Sequence, residues 1–171
     1  MLWTAGTGRL NARCGGKNRD GRDTVMINGI SHITLLVHDL DAAGEFLKDI
    51  FGAEEIYASG NHQFSIAKEK YFLIGSVWFC LMEGDALPVQ TYNHIAFSVP
   101  DSAFDGYMDK LRAAGVQILP GRPRIEGEGR SIYFYDFDNH LFELHTGTLD
   151  ERLNRYLAND GPDCNPGTPD Q

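Results

Sequence analysis

Two stretches of the chain repeat one order of apolar and polar positions. Residues 31–56, SHITLLVHDLDAAGEFLKDIFGAEEI, and residues 93–118, NHIAFSVPDSAFDGYMDKLRAAGVQI, match at a shift of 62 positions. In each, a polar residue and a histidine open an alternating strand, an aspartate follows, an apolar stripe at helical spacing runs to a glycine, and an apolar strand resumes. Phe104, Tyr107, Met108 and Leu111 fall at i, i+3, i+4 and i+7, so this helix must bury one side. Asp101 is placed to cap its start and Gly115 to take the left-handed conformation at its end. Ala43, Phe46, Leu47 and Ile50 form the matching stripe between Asp41 and Gly52.

Each helix needs a sheet to lie on. Strand composition predicts His32–Val37, Gln63–Ile66, Tyr71–Gly75, Val77–Met82, Asn93–Val99, Ser131–Tyr135 and Leu141–His145. Tight reversals are expected at Gly75–Ser76 and across Asp136, Asp138 and Asn139. The reading is an α+β fold of two modules, about residues 30–87 and 91–150, each strand, helix, strand, strand, strand. A module of about 60 residues buries too little surface alone, so the two should pair within the chain or across a dimer.

Composition separates the ends from this unit. Residues 1–25 hold five basic and two acidic residues and five glycines without apolar periodicity, on a chain whose net charge is −9. They are expected to be a disordered tail, with a folded domain over 26–157 and a second disordered tail over 158–171. The acidic balance argues against nucleic acid or a membrane surface as partner, and no run of apolar residues is long enough to span a bilayer. Cys14, Cys80 and Cys164 are widely spaced and odd in number, which excludes a disulfide scaffold and a zinc knuckle and points to a reducing, cytoplasmic compartment.

Candidate chemistry follows the repeat. His32 and His94 open equivalent strands, and a pseudo-twofold relation brings matched residues together if the strands face a shared cleft. Neutral imidazoles there suit a borderline divalent ion. Glu143, in LFELHTG, faces the same way as Leu141 and His145; a carboxylate among large apolar residues needs a cation, either a metal or an arginine such as Arg152 or Arg130. In the first module the position 62 residues earlier is Leu81, so only one carboxylate joins the two histidines and coordination positions stay open.

The repeat, the two histidines and the late glutamate resemble the vicinal oxygen chelate superfamily. Within it, NGISHITLLVHDLDAAGEFLKDIFGAE, FLIGSVWFCL, TYNHIAFSV and SIYFYDFDNHLFELHTGTLDERL are similar to the fosfomycin-resistance proteins of the epoxide-hydrolysing type, over about residues 26–157. The resemblance implies paired βαβββ modules, a homodimer with exchanged modules and shared active sites, and Mn2+ held by His32, His94 and Glu143 from both chains. It also implies that Thr34, Tyr92, Ser131, Tyr133 and Arg152 approach the phosphonate of fosfomycin, with Trp78 either walling the pocket or lying in the core.

By composition Glu69, between Lys68 and Lys70, is a surface charge; by the resemblance it is the general base that activates water, giving a vicinal diol. Three other readings share the fold: a thiol transferase adding glutathione or another thiol, an iron(II) oxygenase, and a non-enzymatic drug-binding protein. Arg130 in RIEGEGRSI stands where the thiol transferases hold a monovalent cation, which weakens the first of these. Arg122, Arg124 and Arg130 remain alternatives for the basic residue that meets the phosphonate.

Overall fold

Along β1 (His32–Val37), His32, Thr34 and Leu36 are exposed while Leu35 and Val37 are buried. The same alternation runs through β5 (His94–Ser98), where Ile95 and Phe97 turn toward the core and His94, Ala96 and Ser98 turn away. Each of these strands therefore has one face for the core and one left open. In the computed structural model the described residues are 27, 29–121 and 128–159, and every element below belongs to one compact unit beginning at Ser31.

β1 leads into α1 (Leu40–Phe51), whose buried residues are Ala43, Gly44, Phe46, Leu47 and Ile50, the predicted stripe. β2 (Glu54–Ala58), β3 (Glu69–Ile74) and β4 (Val77–Glu83) complete the first module as a sheet of order β1-β4-β3-β2. The second module repeats it: β5, a 3-10 turn at Asp101–Ala103, α2 (Phe104–Ala113), β6 (Gln117–Ile118), β7 (Ser131–Tyr135) and β8 (Leu141–His145), in the order β5-β8-β7-β6. β1 runs parallel to β4 and β5 parallel to β8; the remaining pairs are antiparallel. These are the two βαβββ modules of the expected α+β fold. α3 (Leu149–Asn159) follows.

The core-facing sides of the two sheets share one cluster of buried residues. Phe79 of β4 meets Phe97 of β5 at 5.8 Å between ring centres, and Phe51 of α1 reaches Phe97 at 4.7 Å and Phe142 at 5.2 Å. Phe72, Phe79, Phe134 and Phe142 are fully buried, each stabilising the fold by roughly 1.5–3 kcal/mol. With the core on that side, both open faces point away from it.

Three local expectations within the modules need correction. Gln63–Ile66 is not a strand: the Gln63 side-chain amide donates to the backbone oxygens of Ser65 and Ile66, and Phe64 and Ile66 are 77% and 83% exposed. Its place in the module is taken by β2, which pairs with β3 through a bulge between Glu55 and Tyr57. The cap of α1 is Asp39 rather than Asp41; its carboxylate accepts from the amides of Asp41 and Ala42, while Asp41 pairs with Lys70 at 2.6 Å. Asp101 opens the 3-10 turn and makes no side-chain cap for α2. Gly52 (φ +64°) and Gly115 (φ +69°) do adopt the left-handed conformation past the two helices. The expected tail over 158–171 begins two residues too early, since α3 continues through residues 158 and 159; the expectations for residues 1–25, for Arg122 and Arg124, for Cys14 and Cys164 and for residues 160–171 lie outside the described residues.

Candidate active site

Strand register places the open-face residues in rows. On the first sheet the rows are His32–Trp78–Leu73, Thr34–Cys80–Tyr71 and Leu36–Met82–Glu69. On the second they are His94–Leu141–Tyr135, Ala96–Glu143–Tyr133 and Ser98–His145–Ser131. In each sheet the carboxylate or its counterpart lies one row in from the histidine. The residue equivalent to Glu143 is therefore Cys80, at a shift of 63 rather than 62, because the second module is one residue longer between its first and last strands. Leu81, predicted at that position, faces the core and is fully buried.

Glu143 is 5% exposed and surrounded by donors. Ser131 Oγ donates to its Oε1 at 2.5 Å, Tyr133 also hydrogen-bonds it, and His94 Nε2 lies 3.0 Å from Oε2. Burial works against its charge, but Ser131 and Tyr133, with His145 and His94 nearby, outweigh burial and hold its carboxyl below the ordinary range. The same surroundings push Tyr133 up to about 12, through burial first and then its bonds with Tyr92 and Glu143.

His94 is oriented from behind. Its Nδ1 lies 2.8 Å from the backbone oxygen of Tyr92, and a carbonyl can only accept, so this assigns the proton to Nδ1. Nε2 then faces a carboxylate oxygen 3.0 Å away. Two lone pairs at that distance repel unless a proton or a cation lies with them. An imidazole nitrogen, a carboxylate and an open solvent side fit a first-row divalent ion.

His32 lies on the other sheet, exposed, its ring 4.5 Å from that of Trp78. Among the described residues no three of His, Cys, Asp and Glu converge to hold an ion. His94 and Glu143 come together within one chain; His32 does not join them. Thr34 is exposed in the row beside His32, Tyr92 is exposed with its ring 5.2 Å from His94 and 5.7 Å from Tyr133, and Arg152 is half-buried in the first turn of α3. Arg130 is engaged elsewhere: it pairs with Asp105 at 2.5 Å and Asp101 at 3.7 Å and covers the Phe104 ring.

Glu69 is buried, 5% exposed, so its flanking lysines mislead. Its amide donates to Ser59 Oγ at 3.0 Å, and its carboxylate takes the hydroxyl of Tyr71 at 2.8 Å, with Cys80 Sγ 3.8 Å from the other oxygen. Sequence reasoning passed over Tyr71, Cys80, Ser59 and His145. Period-two alternation in EKYFL could have found Tyr71, since it puts Glu69 and Tyr71 on one face.

Residues 29–144 match the model of the Glyoxalase/Bleomycin resistance protein/Dioxygenase superfamily. The fosfomycin resistance protein FosX of Listeria monocytogenes is 63% identical over 131 residues, spanning 77% of this chain and 98% of that protein. The crystal structure of a FosX mutant from Listeria monocytogenes, complexed with Mn(II) and 1S,2S-dihydroxypropylphosphonic acid, matches with a TM-score of 0.71 and 58% identity, over 77% of this chain and 100% of that one. The metallothiol transferase FosB of Shouchella clausii is 43% identical over 136 residues, 77% of this chain and 88% of that protein. With its two βαβββ modules and His94–Glu143 pair, the chain belongs to the glyoxalase/bleomycin resistance protein/dioxygenase superfamily, and within it to the fosfomycin resistance proteins of the FosX family.

Proposed function

We propose that this protein opens the epoxide of fosfomycin with water to give a vicinal diol, using Mn(II) and Glu69 as general base. The observation that carries the reading is the buried carboxylate of Glu69, held by a hydroxyl on the sheet face that also carries His32 and Thr34. The Mn(II) and dihydroxypropylphosphonic acid bound to the FosX mutant support the metal and the diol product.

His94 and Glu143 would hold the metal, with His32 of the partner subunit completing the set in a homodimer with shared sites. The separation of His32 from His94 and Glu143 within one chain supports this arrangement, as do the apolar residues Leu36 and Leu73 exposed on the open face of the first sheet. When bound, the ion supplies Lewis-acid polarisation of the epoxide oxygen. Glu69 takes a proton from water as the oxygen of that water bonds to an epoxide carbon; the carbon–oxygen bond breaks, and the released oxygen ends protonated as the second hydroxyl. Thr34, Tyr92, Ser131, Tyr133 and Arg152 are the donors proposed for the phosphonate. Arg130 is not among them, because its guanidinium is committed to Asp105 and Asp101.

Among the described residues no helix is long and apolar enough to cross a membrane. The buried free thiol of Cys80 supports a reducing, cytoplasmic setting, and the net charge of −9 supports small-molecule rather than nucleic-acid or membrane partners. The test is fosfomycin with Mn(II), with and without added thiol, followed by phosphorus NMR. Diol formed at the same rate in both supports the reading, and product formed only with thiol replaces it with the transferase.

A further inference from the structure

β3 places Glu69 and Tyr71 two residues apart, on one face of the first sheet. A glutamate side chain has three rotatable bonds, so burial alone does not decide which oxygen points where. Here one oxygen is committed: Tyr71 Oη donates to Oε1 at 2.8 Å. The other, Oε2, has Cys80 Sγ at 3.8 Å, a weak donor that leaves it able to accept a proton.

The tyrosine is itself braced. Its ring lies edge-on to Trp78 at 5.1 Å and against Tyr57 at 4.9 Å, and Trp78 in turn contacts His32 at 4.5 Å. An aromatic row thus links the seat of Glu69 to the histidine that opens β1.

The duplication supplies a second instance. Tyr71 and Tyr133 occupy the same middle row of their sheets, and Tyr133 hydrogen-bonds Glu143 as Tyr71 bonds Glu69. One position in the module has been used twice to hold a carboxylate.

We infer that Tyr71 is a positioning residue for Glu69: its hydroxyl fixes Oε1 so that Oε2 faces the water to be activated. The inference rests on the reading of Glu69 as the base. The hydrogen bond to Glu69, together with burial, pushes the Tyr71 phenol up to about 12, a consequence of the same contact that is measurable without metal or substrate.

Two experiments test it. In the Mn(II)-loaded enzyme, Tyr71→Phe should lower kcat for diol formation about 10-fold, the scale of one hydrogen bond to a charged group, with KM and manganese affinity unchanged. Added to Glu69→Gln, the same change should bring no further loss, because the carboxylate it orients is already gone. In the metal-free protein, ultraviolet titration should show the Tyr71 phenol ionising near 12 alongside that of Tyr133, identified as the one missing from Tyr71→Phe, and Glu69→Gln should move it toward the ordinary tyrosine range. A Tyr71→Phe enzyme with wild-type kcat, an equal fractional loss in both backgrounds, or a titration unmoved by Glu69→Gln would each overturn the inference. A wild-type protein that forms no diol overturns the reading of the reaction instead, and the titration still decides whether Tyr71 holds Glu69.

Discussion

Cys80 stands in the first sheet where Glu143 stands in the second, one row in from His32 and His94 respectively. The two modules are alike in backbone and unlike in chemistry at this point: the second carries a carboxylate beside its histidine, and the first carries a thiol whose acidity burial and the neighbouring Glu69 reduce. Glu143→Ala should therefore weaken Mn(II) binding by at least an order of magnitude in calorimetry, while Cys80→Ser should leave it within about twofold.

The distance between His32 and the His94–Glu143 pair leads to a complementation experiment. Homodimers of His32→Ala and of Glu143→Ala should both be inactive. Mixed dimers, verified by native mass spectrometry, should recover part of the activity, because one of their two sites is assembled from unaltered residues. Mixed dimers that stay inactive would contradict shared sites.

Gly129 lies just before the strand that carries Ser131. Its φ is +71°, and a Cβ there would come within 2.6 Å of the backbone nitrogen of Gly147. Gly129→Ala should lower unfolding free energy by about 1–3 kcal/mol and also weaken Mn(II) binding, since the strain falls on the strand that delivers the Ser131 bond to Glu143. Urea titration and calorimetry on the same variant measure the two effects.

α3 begins with a reciprocal cap. The Thr148 amide and hydroxyl donate to Glu151 Oε2 at 2.7 and 2.9 Å, and the Glu151 amide donates to Thr148 Oγ1 at 3.2 Å. The hydroxyl and amide of Thr148 hold the Glu151 carboxyl below its ordinary value. A lowered folded-state value means that this contribution is present above the ordinary carboxylate range and is lost as pH falls through the lowered one. The protection factors of the α3 amides, exchange rates corrected for the intrinsic slowing in acid, should accordingly fall on acidification, and Thr148→Ala should reduce that pH dependence while destabilising the helix by about 1 kcal/mol.

The paired modules were legible because each rests on a long apolar stripe and a histidine-led alternating strand, and both are sequence periodicities. The repeat placed a strand after Gly52, but strand composition did not mark out β2, because Glu54 and Glu55 mask an edge strand whose Glu55 pairs with Lys48 at 2.7 Å. Gln63–Ile66 misled because strand composition without a pairing partner is only a loop with exposed apolar residues. α3 carried a cap signature in TLDE, but little of its apolar surface is buried within the chain. At the site, the repeat singled out His94 and the alternation of LFELH singled out Glu143, and the pairing of β5 with β8 brings them together. The burial of Glu69 could not be read in the same way, because it depends on Ser59 and Cys80 arriving from two other segments beside Glu69 and Tyr71 of β3.

If Glu69 moves the proton of the attacking water, its basicity and not its bulk sets the rate. Glu69→Gln keeps the size of the side chain and removes its basicity, so incubation of both proteins with fosfomycin and Mn(II) in oxygen-18 water separates chemistry from packing. General-base catalysis by Glu69 requires heavy oxygen in the wild-type diol, no need for thiol, and a loss of roughly 10² to 10⁴ in the rate for Glu69→Gln with its manganese affinity retained. Diol formation by Glu69→Gln at the wild-type rate would contradict it.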